Sequence, residues 1–364
     1  VKYDNDERIV LTLDAGGTNF VFSAIQAENE IVDPVRLPSY GDNLEKCLEM
    51  IKEGFHTIIE KIPGKPHAIS FAFPGPADYP NGIIGDLSNL PGFRGGVALG
   101  PMLEQEFSMP VFINNDGDLF ALGEAVAGLL PEINRKLVES ASPKRYQNLV
   151  GITLGTGFGC GIIRNSEILL GDNSAGGEIW LMRSFINNRC FAEEDVSIRA
   201  VKRVYRELSG RKENLEPKDI FDISVEKREG DAGAAKKAFE LMARSVADAL
   251  ANTITLIDGL IVIGGGLSGA SSIFLDTVVK EMNGFIETIE GEKINRLVSR
   301  VFNLDNKNDL NEFLKGQHKE IQIPGSEKSV IYDPQKRIGL GLSRLGTSRA
   351  VALGAYFYAL QQLD

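Results

Sequence analysis

Leu11-Thr-Leu-Asp14-Ala-Gly16-Gly17-Thr18-Asn19-Phe-Val-Phe-Ser-Ala-Ile25 reads as a strand, a glycine bend and a return strand, with its polar groups gathered at the bend. Two adjacent glycines let the backbone come close to an anion and aim N–H groups at it. Thr18 and Asn19 add side-chain donors, and Asp14 offers the carboxylate oxygen that a hydrated Mg2+ accepts as a ligand. A bend of this composition also serves as an ordinary tight hairpin turn, so its partners along the chain decide between the two readings. No lysine follows the glycines and no helix follows the bend, which sets it apart from the G-x-x-x-x-G-K-[ST] loop.

The pattern returns. Leu149-Val-Gly-Ile-Thr-Leu154 is a strand, Gly155-Thr156-Gly157 a bend and Cys160-Gly-Ile-Ile163 a return strand. Such duplication is what two related lobes closing on one nucleotide require, although unrelated hairpins can look alike. A third glycine turn, Gly264-Gly265-Gly266, follows the apolar strand Gly259 to Ile263 and precedes a helix from Ser271 to Met282, placing glycine backbone beside a helix N-terminus.

Between these turns the spacing of Leu44, Cys47, Leu48, Ile51, Phe55, Ile58, Ile59 and Ile62 predicts an amphipathic helix, started by Asp42 with Glu45 and stopped by Pro63-Gly64. Ala68 to Phe73 and Val111 to Ile113 read as buried strands. The second delivers Asn114-Asn115-Asp116 to its carboxyl end, where open α/β sheets bind ligands. Asp231 to Leu256 reads as a long Ala-rich helix, residues 303–334 as polar surface loops or an insertion, and Ser348 to Leu360 as a closing helix whose Gly354 marks close packing.

The chain has 364 residues, enough for two domains, and its 43% hydrophobic and 24% charged content is that of a globular protein. A net charge of −11 and the lack of a basic patch argue against a nucleic-acid partner. No apolar run reaches the roughly 18 residues of a membrane span, and the polar start has no signal-peptide core. We therefore expect a soluble, cytoplasmic protein with no membrane partner. Cys47, Cys160 and Cys190 are too few and too scattered for a disulfide framework, and His56, His67 and His318 have no metal or triad spacing.

Eight segments in register resemble the ROK family of sugar kinases and sugar-responsive repressors, within the actin-like ATPase superfold. They are DAGGTN from Asp14, FPGPAD from Phe73, SNLPGF from Ser88, NNDGDLFALGE from Asn114, LGTGFGCG from Leu154, AGGE from Ala175, IVIGGG from Ile261 and RLGTSRAVALGA from Arg344. The resemblance implies an α/β fold of two actin-like ATPase (ribonuclease H-like) lobes with a cleft between them. The smaller lobe would take residues 1–116 with 350–364, and the larger one residues 117–349. It also implies ATP and Mg2+ as cofactors: Gly16, Gly17, Thr18, Asn19, Gly155, Thr156 and Gly157 at the phosphates, Gly265 and Gly266 near the adenosine, and Asp14 on Mg2+ directly or through water.

By the same similarity Asp116 matches the general base that takes a proton from a sugar hydroxyl as it attacks the γ-phosphorus, a role suited to a carboxylate within hydrogen-bond reach. Gly75, Asn89, Asn115, Glu178 and Glu193 match contacts of the sugar, and sugar hydroxyls need such paired polar groups for discrimination. The chain departs from the family in one region. Leu181 stands where a His usually follows the Glu of the AGE segment, and only Cys190 remains of a Cys-rich zinc loop. Structural zinc takes four ligands, so no zinc site is expected. Trp180 either stacks on a sugar or fills space left by the shortened loop.

These readings predict ATP-dependent phosphorylation of a hexose or amino-sugar hydroxyl, the 6-hydroxyl by family habit. The alternative is a catalytically silent sugar sensor. A DNA-binding repressor is disfavoured by the thirteen residues before Asp14 and by the acidic balance. Resemblance also implies a homodimer.

Overall fold

The computed structural model describes residue 3, residues 5–87 and residues 90–364. In chain order its frame runs β1 (Ile9–Ala15), β2 (Asn19–Gln26), α1 (Leu44–Lys61), β3 (Pro66–Ala72), β4 (Val111–Asn114), α2 (Asp116–Val126), β5 (Leu149–Leu154), β6 (Phe158–Arg164), α3 (Glu193–Val196), α4 (Ile198–Ser209), α5 (Ala232–Ile257), β7 (Leu260–Gly264), α6 (Ser271–Met282), β8 (Arg300–Asn303), α7 (Lys307–Lys315), β9 (Arg337–Leu342) and α8 (Thr347–Leu363). Contacts divide the chain into two compact units, one of Val1–Gly128, Gly161–Gly177 and Leu345–Asp364, the other of Leu129–Cys160 and Glu178–Arg344. No helix among the described residues is long and apolar enough to cross a membrane.

In the first unit β1 and β2 form the predicted hairpin, antiparallel with Thr12 opposite Ser23 and Asp14 opposite Val21. β3 runs parallel to β1, and β4 parallel to β3. The two-residue period of a strand sorts side chains by face. Leu11, Leu13, Phe20 and Phe22 are buried in one core cluster with Phe55 of α1, where Phe22 and Phe55 meet edge to face at 5.1 Å. Burying each such side chain is worth about 1.5–3 kcal/mol before the cost of ordering it.

α1 starts one residue later than the sequence suggested. Its cap is Asn43, whose side chain accepts from the Lys46 N–H at 3.0 Å, rather than Asp42. Ile62 then leaves the helix for extended backbone, as the residue before a proline must to avoid the ring of Pro63.

On the other side α2 and α8 cross at a pair of glycines. A Cβ on Gly123 would meet the backbone carbonyl of Ala350, and one on Gly354 would meet that of Leu119. Gly354 is thus at a close helix approach, and it anchors α2, and with it Asp116, in the first unit.

In the second unit β7 lies between β5 and β9, parallel to both, and β8 runs parallel to β9. β6 begins beside β5, completing a second hairpin at the end of β5. α5 is capped by Asp231, which accepts from the Ala234 N–H at 2.9 Å. The polar stretch 303–334 is more ordered than its composition suggests: it holds α7, capped by Asn306, and a hairpin of Lys319–Gln322 with Ser329–Tyr332. Phe313 is the buried residue of α7, stacked at 5.6 Å on Tyr146 and set edge-on at 5.8 Å against Phe302 of β8.

Candidate active site

Strand geometry brings the acidic candidates of the first unit together. Asp14 stands at the carboxyl end of β1 and Asp116 opens α2 at the carboxyl end of β4. Asp14, Gly75, Asn115 and Asp116 all line one cleft of about 960 Å³, together with Thr12, Ser23 and the start of α8 at Thr347, Ser348 and Arg349. The sequence reading placed these residues in the family segment from Arg344 and in the closing helix, but gave them no role in the site.

Asn115 is the cap of α2, its side-chain oxygen accepting from the Gly117 N–H at 2.8 Å, and its amide reaches the Tyr79 hydroxyl at 3.5 Å. Asp116 Oδ1 accepts from the same Gly117 N–H at 2.9 Å. Asp116 is exposed to the cleft, and the cleft walls withdraw part of the water around its carboxyl. That desolvation pushes its pKa above the ordinary carboxylate value, the N–H groups of Gly117 and of Asp116 itself pull it down, and the charge of Asp14 pushes it up again. A carboxylate poised in this way is a better proton acceptor than one in free water.

Gly16, Gly17 and Thr18 form the bend between β1 and β2, and Asn19 begins β2. A Cβ on Gly16 would press on the Asn19 carbonyl at 2.8 Å, whereas one on Gly17 would meet nothing within 4 Å. Gly75 follows β3 on an exposed loop. Asn89, proposed from the sequence as a sugar contact, lies outside the described residues.

In the second unit the other two glycine turns end neighbouring parallel strands, Gly155-Thr156-Gly157 after β5 and Gly265-Gly266 after β7. The first is closed by the Gly155 N–H donating to the Gly157 carbonyl at 3.0 Å. Gly265 adopts φ +86° and lies so close to the Leu154 backbone that any side chain there would collide. Thr156 also lines a separate cleft of about 330 Å³ with Arg199, Lys202 and Arg206 of α4.

Glu178 is exposed and accepts a hydrogen bond from Trp180 Nε1. Trp180 sets its edge on Phe191 with ring centroids 5.7 Å apart, and Leu181 is 58% exposed. Glu193 is committed to the second glycine turn. Its Oε2 accepts from the Phe158 N–H at 3.0 Å and its Oε1 pairs with Arg199 at 2.9 Å. Cys190 is a free thiol, and among the described residues no group of three or more His, Cys, Asp and Glu could hold a metal ion. A tetrahedral zinc therefore does not fit this loop. A magnesium ion asks less, one or two carboxylates with waters and phosphate oxygens, and the exposed Asp14 fits that donor set.

A family model described as the ROK family matches residues 10–306. The glucokinase of Thermotoga maritima is 26% identical over 304 residues, covering 76% of this chain and 88% of that protein. The N-acetyl-D-glucosamine kinase of Vibrio cholerae is 28% identical over 279 residues, covering 72% and 85%. The crystal structure of a glucokinase from Parabacteroides distasonis superposes with a TM-score of 0.93 at 55% identity, covering 99% of each chain.

Proposed function

This chain belongs to the ROK family, and on that premise we propose that it transfers the γ-phosphoryl group of ATP to the 6-hydroxyl of a hexose or amino sugar. Its α/β fold is that of the actin-like ATPases, shared with ROK sugar kinases. The observation that carries the reading is the meeting of Asp14 and Asp116 on one cleft, with Asp116 held above its ordinary pKa. Two relatives point to the sugars to try first, one being named a glucokinase and another an N-acetyl-D-glucosamine kinase.

In the proposed reaction Asp116 accepts the proton of the sugar hydroxyl as its oxygen attacks the γ-phosphorus, and the bond from that phosphorus to the β,γ-bridging oxygen breaks to release ADP. Asn115 and Gly75 border the same cleft and are assigned to the sugar, together with Asn89, Glu178 and Glu193. We assign the N–H groups of Gly16 and Gly17 with Thr18 and Asn19, and those of Gly155, Thr156 and Gly157, to the phosphates, and Gly265 and Gly266 to the adenosine. When bound at Asp14, Mg2+ neutralises phosphate charge. Phosphoryl transfer depends chiefly on positioning and charge neutralisation, so these residues need supply little else. A cytoplasmic homodimer completes the proposal.

Coupled measurement of ADP release across glucose, mannose, N-acetylglucosamine and N-acetylmannosamine tests it. Sugar-dependent turnover that is lost in Asp116→Asn is the expected result. A folded, nucleotide-binding sample with no turnover on any sugar would replace the kinase by the sugar sensor.

A further inference from the structure

Residues 182–192 make a compact loop in the region that keeps only Cys190 of the Cys-rich loop of the family resemblance, and the loop is closed by hydrogen bonds. The Ala192 N–H donates to the Met182 carbonyl at 2.7 Å, the Ser184 N–H to the Cys190 carbonyl at 3.0 Å, and the Cys190 N–H to the Asn187 carbonyl at 2.9 Å. Beneath the loop lies Asp195 on α3, only 7% exposed. Its Oδ2 accepts from Ser184 Oγ at 2.6 Å, from Ser245 Oγ at 3.1 Å and, more distantly, from the Ile186 N–H at 3.4 Å. Ser184 Oγ in turn accepts from the Asn187 N–H at 2.8 Å and the Ile186 N–H at 3.2 Å. Ser245 belongs to α5, the longest helix of this unit, so one carboxylate fastens the loop to a rigid support.

Both ends of the loop lead to residues assigned above. Upstream, Phe191 bridges to Arg183 and seats Trp180, which donates to Glu178. Downstream, Asp195 shares its four-residue helix with Glu193, the acceptor for the Phe158 N–H at the end of the Gly155-Thr156-Gly157 turn. A hydrogen bond to a buried ionised acceptor is shorter and roughly twice as strong as a neutral one, and a carboxylate left with its donors removed is costly. Such a group can hold a loop in one arrangement as a metal would.

We propose that Asp195 is a positioning residue: with Ser184 and Ser245 it forms a metal-free staple that fixes the Trp180–Glu178 pair and, through Glu193, the second glycine turn. The kinetic consequences rest on the kinase reading. The fastening of the loop does not.

The test uses Asp195→Ala, Asp195→Asn and Ser245→Ala in the full chain. Hydrogen exchange read by mass spectrometry over residues 182–192 should speed up at least about tenfold in Asp195→Ala, the factor matching the loss of about one hydrogen bond to a charged group, with Asp195→Asn in between because its amide oxygen still accepts from the serines. Sugar KM should rise while kcat changes less, a split that general loosening of the fold does not produce. Chelator should leave exchange of the wild-type loop unchanged. Unchanged exchange in Asp195→Ala, or a wild-type loop that loosens on chelation, overturns the proposal. If Asp195→Ala does not fold, Ser245→Ala, which removes one donor, gives the same readouts. If no sugar is turned over, the kinase reading fails while the exchange data still decide the staple.

Discussion

Each of the three glycine turns contains one glycine that the fold itself does not require. A Cβ built on Gly17, Gly155 or Gly266 meets nothing within 4 Å, and none of the three has φ in the left-handed region. Alanine should therefore be accepted by the folded chain at each position, and by reducing the freedom of the unfolded chain it should add about 0.4–1 kcal/mol of stability. If these backbones approach a phosphate or the adenosine, the same methyl group would push the ligand off an N–H. A hydrogen bond to a charged group is worth about 1.5–3 kcal/mol, which corresponds to a rise of about 10- to 150-fold in the KM for ATP.

Gly265 supplies the internal contrast. Its φ of +86° and its approach to Leu154 make it a requirement of the fold, so Gly265→Ala should be poorly folded. Urea unfolding and ADP-release kinetics on the three open-site variants separate the effects. Parental KM for ATP in all three would refute the assignment of the turns to nucleotide, and a loss of stability would refute the geometric argument.

Asp116→Asn should lower kcat by about 10²- to 10⁴-fold, as expected for loss of a general base, and should also stabilise the protein at neutral pH. The native state binds the Asp116 proton more tightly than the unfolded chain does, so the ionised form weakens the fold above the ordinary carboxylate pKa, and the advantage of Asn should fade as pH falls from the raised pKa toward that value and be gone below it. Thermal melts from pH 3 to pH 8 check the sign. The acid limb of the parental rate profile should lie above the normal carboxylate range, and Asp14→Asn should move it down for whatever turnover remains, because the repulsion of Asp14 is part of the shift. Gly123→Ala and Gly354→Ala should each destabilise by about 1–3 kcal/mol or more, although alanine favours a helix by about 1 kcal/mol, since the added methyl meets backbone carbonyl oxygen rather than a side chain that can turn away. Unfolding midpoints equal to the parent would show that α2 and α8 can slide apart freely. Exhaustive chelation should leave the melting temperature unchanged and abolish turnover until Mg2+ is restored. A fall in melting temperature would point to a structural metal.

Local patterns carried far in this chain. Strand alternation from Leu11 to Ile25, the glycine bends after β1, β5 and β7, and the helical spacing of residues 44–62 each depend on contacts a few residues apart, and these elements formed where expected. The end of Val111–Asn114 likewise had to carry Asp116, because a strand's carboxyl terminus and the helix start after it are adjacent in sequence. The cap of α1 was misplaced by one residue since Asp42 and Asn43 have equivalent chemistry, and only the backbone angle at Asn43 selects between them. Stretch 303–334 hid α7 because its burial comes from Phe313 against Tyr146 and Phe302, neither of them within the helix.

By itself the sequence determined the elements that frame the glycine turns, the turns themselves and the chemistry available at each, because propensity, periodicity and capping act over one or two turns of chain. Tertiary structure alone decided that Asp14 and Asp116 face one cleft, that desolvation there, with a smaller push from the Asp14 charge, raises the pKa of Asp116, that Arg349 joins them, and that Asp195 gathers serines from positions 184 and 245. Those are sums over neighbours brought together by packing, and no reading along a single line of residues contains their distances.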